Sequence, residues 1–427
     1  MTKSLPRDWR RDRLKEVAAI NRRSLGASTD PNVEVDYLEI SNVNSLGIVD
    51  RSEIEHLRFA DVPSRARRCV SEGSTIISSV RPNLQAVAFI DAMDSGLICS
   101  TGFNVVEPMR HKLVPRYLYY YLLSDDAKQY FVATAKGVGY PAIDDKEFST
   151  VEVPLPPLPE QRRITAFLDA KCADIDKAIA AKRKQLDSMD AIWSNVLHSA
   201  TLRGLDGAQL NPTNNAVVKQ IPAGWKLKRL RYIGRCQNGI SKAGQFFGYG
   251  YPFLSYGDVY NNMALPETAS GLVDSTPEER VCYSVKRGDI FFTRTSETAD
   301  EVGFSSVCLK TIPDATFAGF VIRVRPVTDD LLPEFSQYYF RNPFVSQHFA
   351  REMMVVTRAS LSQNILKSLP VLIPPREEQS RIAEYLAVKR KNLDELSANL
   401  RRQIEVLSDY RKSLIHEHVT GERRVAQ

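Results

Sequence analysis

Two long stretches of the chain carry apolar residues at helical spacing. After Pro375, Leu386, Leu393, Leu400, Leu407 and Leu414 fall seven apart, with Leu396 and Ile404 beside them. After Pro159, packable residues recur in steps of four and three at Leu168, Cys172, Ile175, Ile179, Leu186, Met189, Trp193 and Val196, with basic Lys182 interrupting the series. Neither stretch contains Pro or Gly before Gly204 and Gly421, which suit helix C-caps. Ahead of each lies a proline brake: Pro154, Pro156, Pro157 and Pro159 in one case, Pro370, Pro374 and Pro375 in the other. Proline lacks an N–H and disfavours helix in the residue before it, so each helix starts only beyond its brake. The pattern therefore predicts long helices over 156–203 and 374–420. The regions before them, 1–155 and 221–373, hold short β-type runs such as Val33–Ile40, Ser74–Val80, Gly288–Thr293 and Phe320–Val324, separated by turn residues. Residues 204–220, rich in Gly, Asn and Pro, read as a linker.

The two halves repeat one another. Pro156-Pro157-Leu158-Pro159-Glu160-Gln161-Arg162-Arg163-Ile164 matches Pro374-Pro375-Arg376-Glu377-Glu378-Gln379-Ser380-Arg381-Ile382, 218 positions on. Tyr120-Tyr121 falls on Tyr338-Tyr339 at the same offset, and Trp9 is echoed by Trp225. A series of matches in order is a tandem duplication. A sustained seven-residue period is a coiled-coil seam, although a leucine stripe also serves as the buried face of a bundle helix. Two stripes at equivalent points of a duplication favour pairing with each other. The expected seam is Leu168, Ile175, Ile179, Leu186 and Met189 against Leu386, Leu393, Leu400, Ile404, Leu407 and Leu414. A helix of about 40 residues is about 60 Å long, a distance the linker spans only near full extension. Antiparallel pairing is expected, giving an α/β (α+β) pseudo-two-fold molecule with two globular domains separated by the helices.

Composition adds less. Lys and Arg number 57 against 51 Asp and Glu, a net charge of +6 that permits nucleic-acid binding without requiring it. Apolar runs fall short of a membrane span of about 20 residues, and the basic N-terminus has no secretory apolar segment. Six scattered cysteines without a CxxC suggest reduced thiols in a cytoplasmic protein.

The run Gly139-Tyr140-Pro141-Ala142-Ile143, Phe148 and Val151 to Ile164 resembles the junction before the central conserved helix of type I restriction-modification specificity subunits. Leu369 to Ile382 resembles the distal junction, Ile221-Pro222-Ala223-Gly224-Trp225 the opening of a recognition domain, and Arg287-Gly288-Asp289-Ile290 a family strand. The first half departs from this pattern, with Arg7-Asp8 before Trp9 and Glu72-Gly73-Ser74-Thr75-Ile76 in the strand. The resemblance implies two target-recognition domains, each reading half of a split, asymmetric site in double-stranded DNA. It also implies that the helices dock two methyltransferase subunits, to which motor-nuclease subunits add. S-adenosylmethionine, ATP and Mg²⁺ would then belong to those partners, and this chain would hold no cofactor and no catalytic centre.

Base edges are read by Arg, Lys, Asn, Gln, Ser and Thr, and phosphates are held chiefly by Arg and Lys. Candidates in the divergent loops after strands are Arg22, Arg23, Ser24, Asn42, Asn44, Ser79, Arg81 and Asn83 in the first domain. In the second they are Gln237, Asn238, Lys242, Tyr256, Asp258, Asn261, Arg294, Thr295 and Ser296. No phosphate-cradling loop ends in Gly-Lys-Ser/Thr, and Asn342-Pro343-Phe344 lacks the second proline of an adenine methyltransferase motif. Asp144-Asp145-Lys146 reads as a helix start, and His416-Glu417-His418 as a solvated helix end without metal spacing. Lys182-Arg183-Lys184 and Arg401-Arg402 read as exposed helix faces. Phe167, Ile192, Leu197, Tyr385 and Tyr410 read as exposed apolar positions off the seam. A free-standing DNA-binding regulator with duplicated domains is the alternative, and an enzyme with an unrecognised site a third.

Overall fold

The computed structural model describes residues 5–44, 47–82, 86–137, 139, 141–296, 302–353 and 359–425. The chain forms two compact units: Met1–Arg183 with Arg401–Gln427, and Lys184–Leu400. Each unit thus takes one globular domain, part of its own long helix and part of the other.

In the first unit an antiparallel sheet runs in the order Ala18–Ile20, Phe103–Pro108, Thr75–Ser78, Val87–Phe89. A second sheet runs Glu55–Arg58, Glu34–Leu38, Ile98–Ser100, Ala66–Cys69, and its two central strands are parallel. Arg10–Arg13 pairs with Glu152–Leu155 and ties the start of the domain to its end. The second unit repeats the plan: Gly234–Asn238, Val321–Pro326, Ile290–Thr293, Ser305–Val307 in one sheet, and Gly271–Val273, Phe247–Leu254, Thr316–Phe317 in another. Again the second sheet holds one parallel pair, Phe247–Leu254 with Thr316–Phe317, and Lys226–Arg229 closes against Pro370–Ile373. The duplication seen in sequence is therefore a duplication of topology. The β runs Val33–Ile40, Ser74–Val80 and Gly288–Thr293 fall on strands trimmed at their ends, and Phe320–Val324 on one that starts a residue later and runs on to Pro326. Thr75–Ser78 and Ile290–Thr293 are buried at every position, as a strand covered on both faces must be.

The paired tyrosines lie on Pro115–Leu122 and Pro333–Tyr339. Tyr121 and Tyr339 donate to the carbonyls of Glu152 and Pro370, so each tyrosine helix is bonded to its closing strand. The repeated glutamine has an equally specific role. Gln161 accepts from Val114 N at 2.8 Å and donates to Lys112 O and Pro156 O at 3.1 and 2.9 Å. Gln379 accepts from Leu332 N at 2.7 Å and donates to Asp330 O and Pro374 O at 2.8 and 2.9 Å. One side-chain amide satisfies three backbone groups that the proline brake and the preceding loop leave without partners.

The long helices are Leu158–Arg203 and Arg376–Val419, and Gly204 and Gly421 beyond them have φ of 76° and 81°. Both units show antiparallel pairing, because partner numbers fall as the first helix advances. Phe167 lies on His418, Asp176 meets Arg411 at 3.0 Å, and Lys182 donates to Gln403. In the second unit Ser397 Oγ donates to Met189 Sδ at 3.0 Å, and Arg390 lies over the Trp193 ring. Leu168, Ile175, Ile179 and Leu414 are buried in the first unit's core, with Ile404 and Leu407 packed at its margin. Leu386 is buried in the second unit's core, Leu393 packs against that core, Met189 and Leu400 are buried, and Leu186 is half-buried. The stripes thus also anchor each helix to its domain.

Four expectations change. Leu396 is 49% exposed, because the inward place on that turn is taken by Ser397. His418 is buried, with Nδ1 2.8 Å from Leu414 O and its ring stacked on half-buried Phe167, so neither lies free in solvent. Leu197 is also buried, in the second unit's core. The 204–220 segment is structured: Leu210–Pro212 pairs with Gln220–Pro222, and Val218 is buried in that core. Asp144 does start a helix, accepting from Glu147 N at 2.8 Å. Among the described residues no helix is long and apolar enough to cross a membrane.

Candidate nucleic-acid interface

The same backbone junction is built once in each unit, and candidate residues lie on both copies. In the first, the strand Thr75–Ser78 runs out into Ser79, whose N–H and hydroxyl donate to Gly102 O at 2.8 and 2.9 Å. Ile143 N donates to Ser79 O at 2.9 Å, and Arg81 N to Pro141 O at 2.7 Å. In the second, Ile290–Thr293 runs out into Arg294, whose N–H donates to Phe320 O at 2.9 Å. Leu361 N donates to Arg294 O at 2.7 Å, and Thr295–Ser296 pairs with Ala359–Ser360. Three segments therefore meet at equivalent places: the exit of a central strand, the turn before the next strand, and the stretch that leads to the closing strand. Ser79 and Arg81 occupy one junction; Arg294, Thr295 and Ser296 occupy the other.

The loops beside each junction differ. Ser24 bridges Arg68, and its hydroxyl donates to Arg67 O at 3.1 Å. Arg68 donates to Asn104 Oδ1 at 3.0 Å, and so does Asn21 at 2.9 Å, from a left-handed backbone with φ of 53°. Burial lowers the pKa of Arg68, opposed by nearby Asp145. On the other side, Asn238 Oδ1 accepts from Gln363 Nε2 at 3.0 Å, while Gln237 donates to Cys282 Sγ at 3.2 Å and accepts from Arg323.

The candidates differ in what they have left to offer. Arg22 is exposed and Arg294 partly so, and neither guanidinium has a partner among the described residues. Asn261 is exposed at the end of the short helix Tyr256–Asn261, where Tyr256 stacks on Tyr260. Arg23 is held by Glu107 at 2.7 Å, and Lys242 by Glu279 at 2.7 Å. Asn44 Oδ1 accepts from Ile48 N at 3.1 Å within its own turn. Two candidates are corrected. Asn42 is 5% exposed and caps its turn, accepting from Glu39 N and donating to Glu53 O. Asp258 is 7% exposed and is consumed as a helix cap by Ser255 and Ser270. A short polar side chain after a strand serves as a cap as readily as a reader. Asn83 and the Ser296 side chain lie outside the described residues. Asn21, Arg68 and Asn104 carry no sequence signal as a group; Arg68 and Asn104 lie on strands of different sheets, and only the fold brings the three together.

The chain matches the family model described as the type I restriction modification DNA specificity domain over residues 6–186 and again over 222–406. It is 23% identical over 314 residues to the type I restriction enzyme MjaVIII specificity subunit of Methanocaldococcus jannaschii, covering 72% of this chain and 70% of that one. Among solved structures, it resembles a chain from work on complex assembly and conformational transition of the type I R-M system. The TM-score is 0.76 at 23% identity, over 98% of this chain and 100% of that chain. It also resembles the HsdS subunit from Thermoanaerobacter tengcongensis, with a TM-score of 0.53 at 21% identity over 98% of both chains. At these identities the structural likeness speaks for the fold.

Proposed function

This chain belongs to the type I restriction-modification DNA specificity family, and on that premise we propose that each of its two domains reads one half of a split, asymmetric duplex DNA target. It is the specificity subunit of a type I restriction-modification complex. The observation that carries the two-half reading is the junction built twice on one backbone plan with different side chains: Ser79 and Arg81 in one copy, Arg294, Thr295 and Ser296 in the other. Equivalent scaffolds with unlike side chains suit unlike half-sites. Base edges would meet the strand exits, and Arg22 and Arg294, unpaired among the described residues, would meet phosphate or guanine edges.

The partners are duplex DNA, two methyltransferase subunits and, through them, motor-nuclease subunits. Exposed apolar residues along the long helices, Ile192, Tyr385, Val388, Val406 and Tyr410, support protein partners there, since a free-standing regulator would have no use for them. The chain supplies recognition and no catalytic group. S-adenosylmethionine, ATP and Mg²⁺ would be bound by the partners, in the cytoplasm.

The test is a change of specificity in one half only. In complex with the modification subunit, Arg294→Ala should relax or weaken recognition of one half-site by about 1–3 kcal/mol per lost base contact and leave the other intact. Equal loss at both half-sites, or none, would refute the assignment of one domain to one half-site.

A further inference from the structure

The two junctions differ most at one pair of equivalent positions, Gly102 and Phe320. Each lies 218 positions from the other, and each offers its carbonyl to the strand exit, Gly102 to Ser79 N and Phe320 to Arg294 N. In the first domain the place is closed. A Cβ on Gly102 would lie 2.9 Å from Ile40 Cδ1 and 3.3 Å from Val80 Cγ2. In the second domain the same place carries a phenyl ring that is 64% exposed.

The backbone beneath that ring is locked. Phe320 is the third residue of a turn closed by Val321 N donating to Ala318 O at 3.0 Å. Gly239 N donates to Val321 O at 3.2 Å, and Ile240 N to Phe317 O at 2.9 Å. The 239–241 segment, which follows the strand Gly234–Asn238, lies so close to this turn that a Cβ on Gly239 would come within 2.2 Å of Ala318 O, and one on Gly319 within 2.3 Å of Ser241 Oγ. A single exposed apolar side chain is ordinary. Here the ring stands on a fixed turn that forms part of the candidate interface, and the Phe320 carbonyl accepts from the backbone of Arg294, whose guanidinium is unpaired among the described residues.

We propose that Phe320 is a wedge that enters between two base pairs of the half-site read by the second domain, with Arg294 beside it to meet the backbone or a base edge. The proposal rests on the DNA-reading function proposed above. Rigid apolar side chains that enter a base step unstack it and kink the duplex. The sequence cost of that deformation is lowest at pyrimidine–purine steps. The second half-site would therefore contain a step selected for deformability, whereas the first, facing Gly102, would have none at the equivalent place. A turn whose backbone is fixed in advance loses little backbone freedom on binding, so more of the ring's stacking energy is retained.

The experiment is selection from a random duplex pool by the full chain in complex with its modification subunit, comparing wild type with Phe320→Gly, Phe320→Leu and Phe320→Trp. Thermal melting of each variant alone checks folding, which an exposed side chain should leave unchanged. Wild type is expected to recover a split motif with a preferred pyrimidine–purine step in one half. Phe320→Gly should lose that step preference and bind the recovered motif about ten- to a hundredfold more weakly, with the other half-site unaltered; Trp and Leu should retain it wholly or in part. A split motif that Phe320→Gly reads as wild type does would overturn the wedge and leave the two-domain function standing. No split motif from wild type would overturn both.

Discussion

The indole Nε1 of Trp225 donates to Glu378 Oε2 at 2.9 Å, and its counterpart Trp9 donates to Glu160 Oε2 at 3.2 Å. Each bond joins the first segment of a domain to the first turn of the long helix that follows it, 153 and 151 residues later. Both tryptophans are buried, so the carboxylate satisfies a donor that would otherwise be stranded. Glu378→Ala should destabilise the second unit by about 1–3 kcal/mol, and Glu378→Gln, which keeps an acceptor, by less. Denaturant unfolding followed by far-UV circular dichroism measures this; a change within error for Glu378→Ala would show that the bond is incidental.

The leucine stripe divides into positions with different consequences. Leu386 is fully buried and Leu396 half-exposed. Leu386→Ala should cost about 2–5 kcal/mol, and Leu396→Ala about 0.5 kcal/mol or less. Equal costs would mean that Leu396 meets the seam after all.

Asp289 explains the Gly-Asp-Ile strand and its absence from the first domain. Its carboxylate accepts from Arg325 Nε and Nη2 at 2.7 and 2.6 Å and from Lys286 N at 2.8 Å. In the first domain Ser74 stands in its place and Glu107 in place of Arg325; Ser74 Oγ bonds its own turn and Glu107 takes Arg23. The pair changed together. Asp289→Ser alone should therefore destabilise by about 2–4 kcal/mol, since it strands a partly buried guanidinium, whereas Ser74→Ala should cost about 1 kcal/mol. Similar losses at the two sites would contradict the pairing.

His348 sets a pH dependence. Burial, with Arg351 nearby, holds its imidazole below the ordinary value of 6.5, against the opposing pull of Glu352; its Nε2 lies 3.3 Å from Ser368 Oγ. The unfolded chain then binds the proton more readily than the folded one. The stability from neutral His348 is present above pH 6.5 and is lost as pH falls through the depressed folded value. His348→Gln should flatten this part of the stability profile. A profile unchanged in slope between pH 7 and 5 would show that His348 is not its source.

Much of this was legible in the chain because duplication amplifies weak signals. Pro-Pro-x-x-Glu-Gln is a short motif, yet its second copy marks Gln161 and Gln379 as one device, and the structure shows the three backbone groups each satisfies. Heptad leucines and helix-ending glycines gave the long helices to within two residues. Less was legible where a polar residue has two uses: Asn42 and Asp258 look like readers by type and position and are caps by geometry. Arg68 and Asn104 lie on strands of different sheets that only the fold brings together. Phe320 reads as core in the sequence because it heads a strand run, yet on its turn it is 64% exposed.

As a specificity subunit, this chain gives a modification enzyme its DNA target. The most direct test is to map methylated bases in plasmid DNA from cells that express the chain together with its modification subunit. The expected result is a split, asymmetric motif bearing N6-methyladenine that disappears when this chain is omitted. Methylation that is absent, or that persists unchanged without this chain, would contradict it.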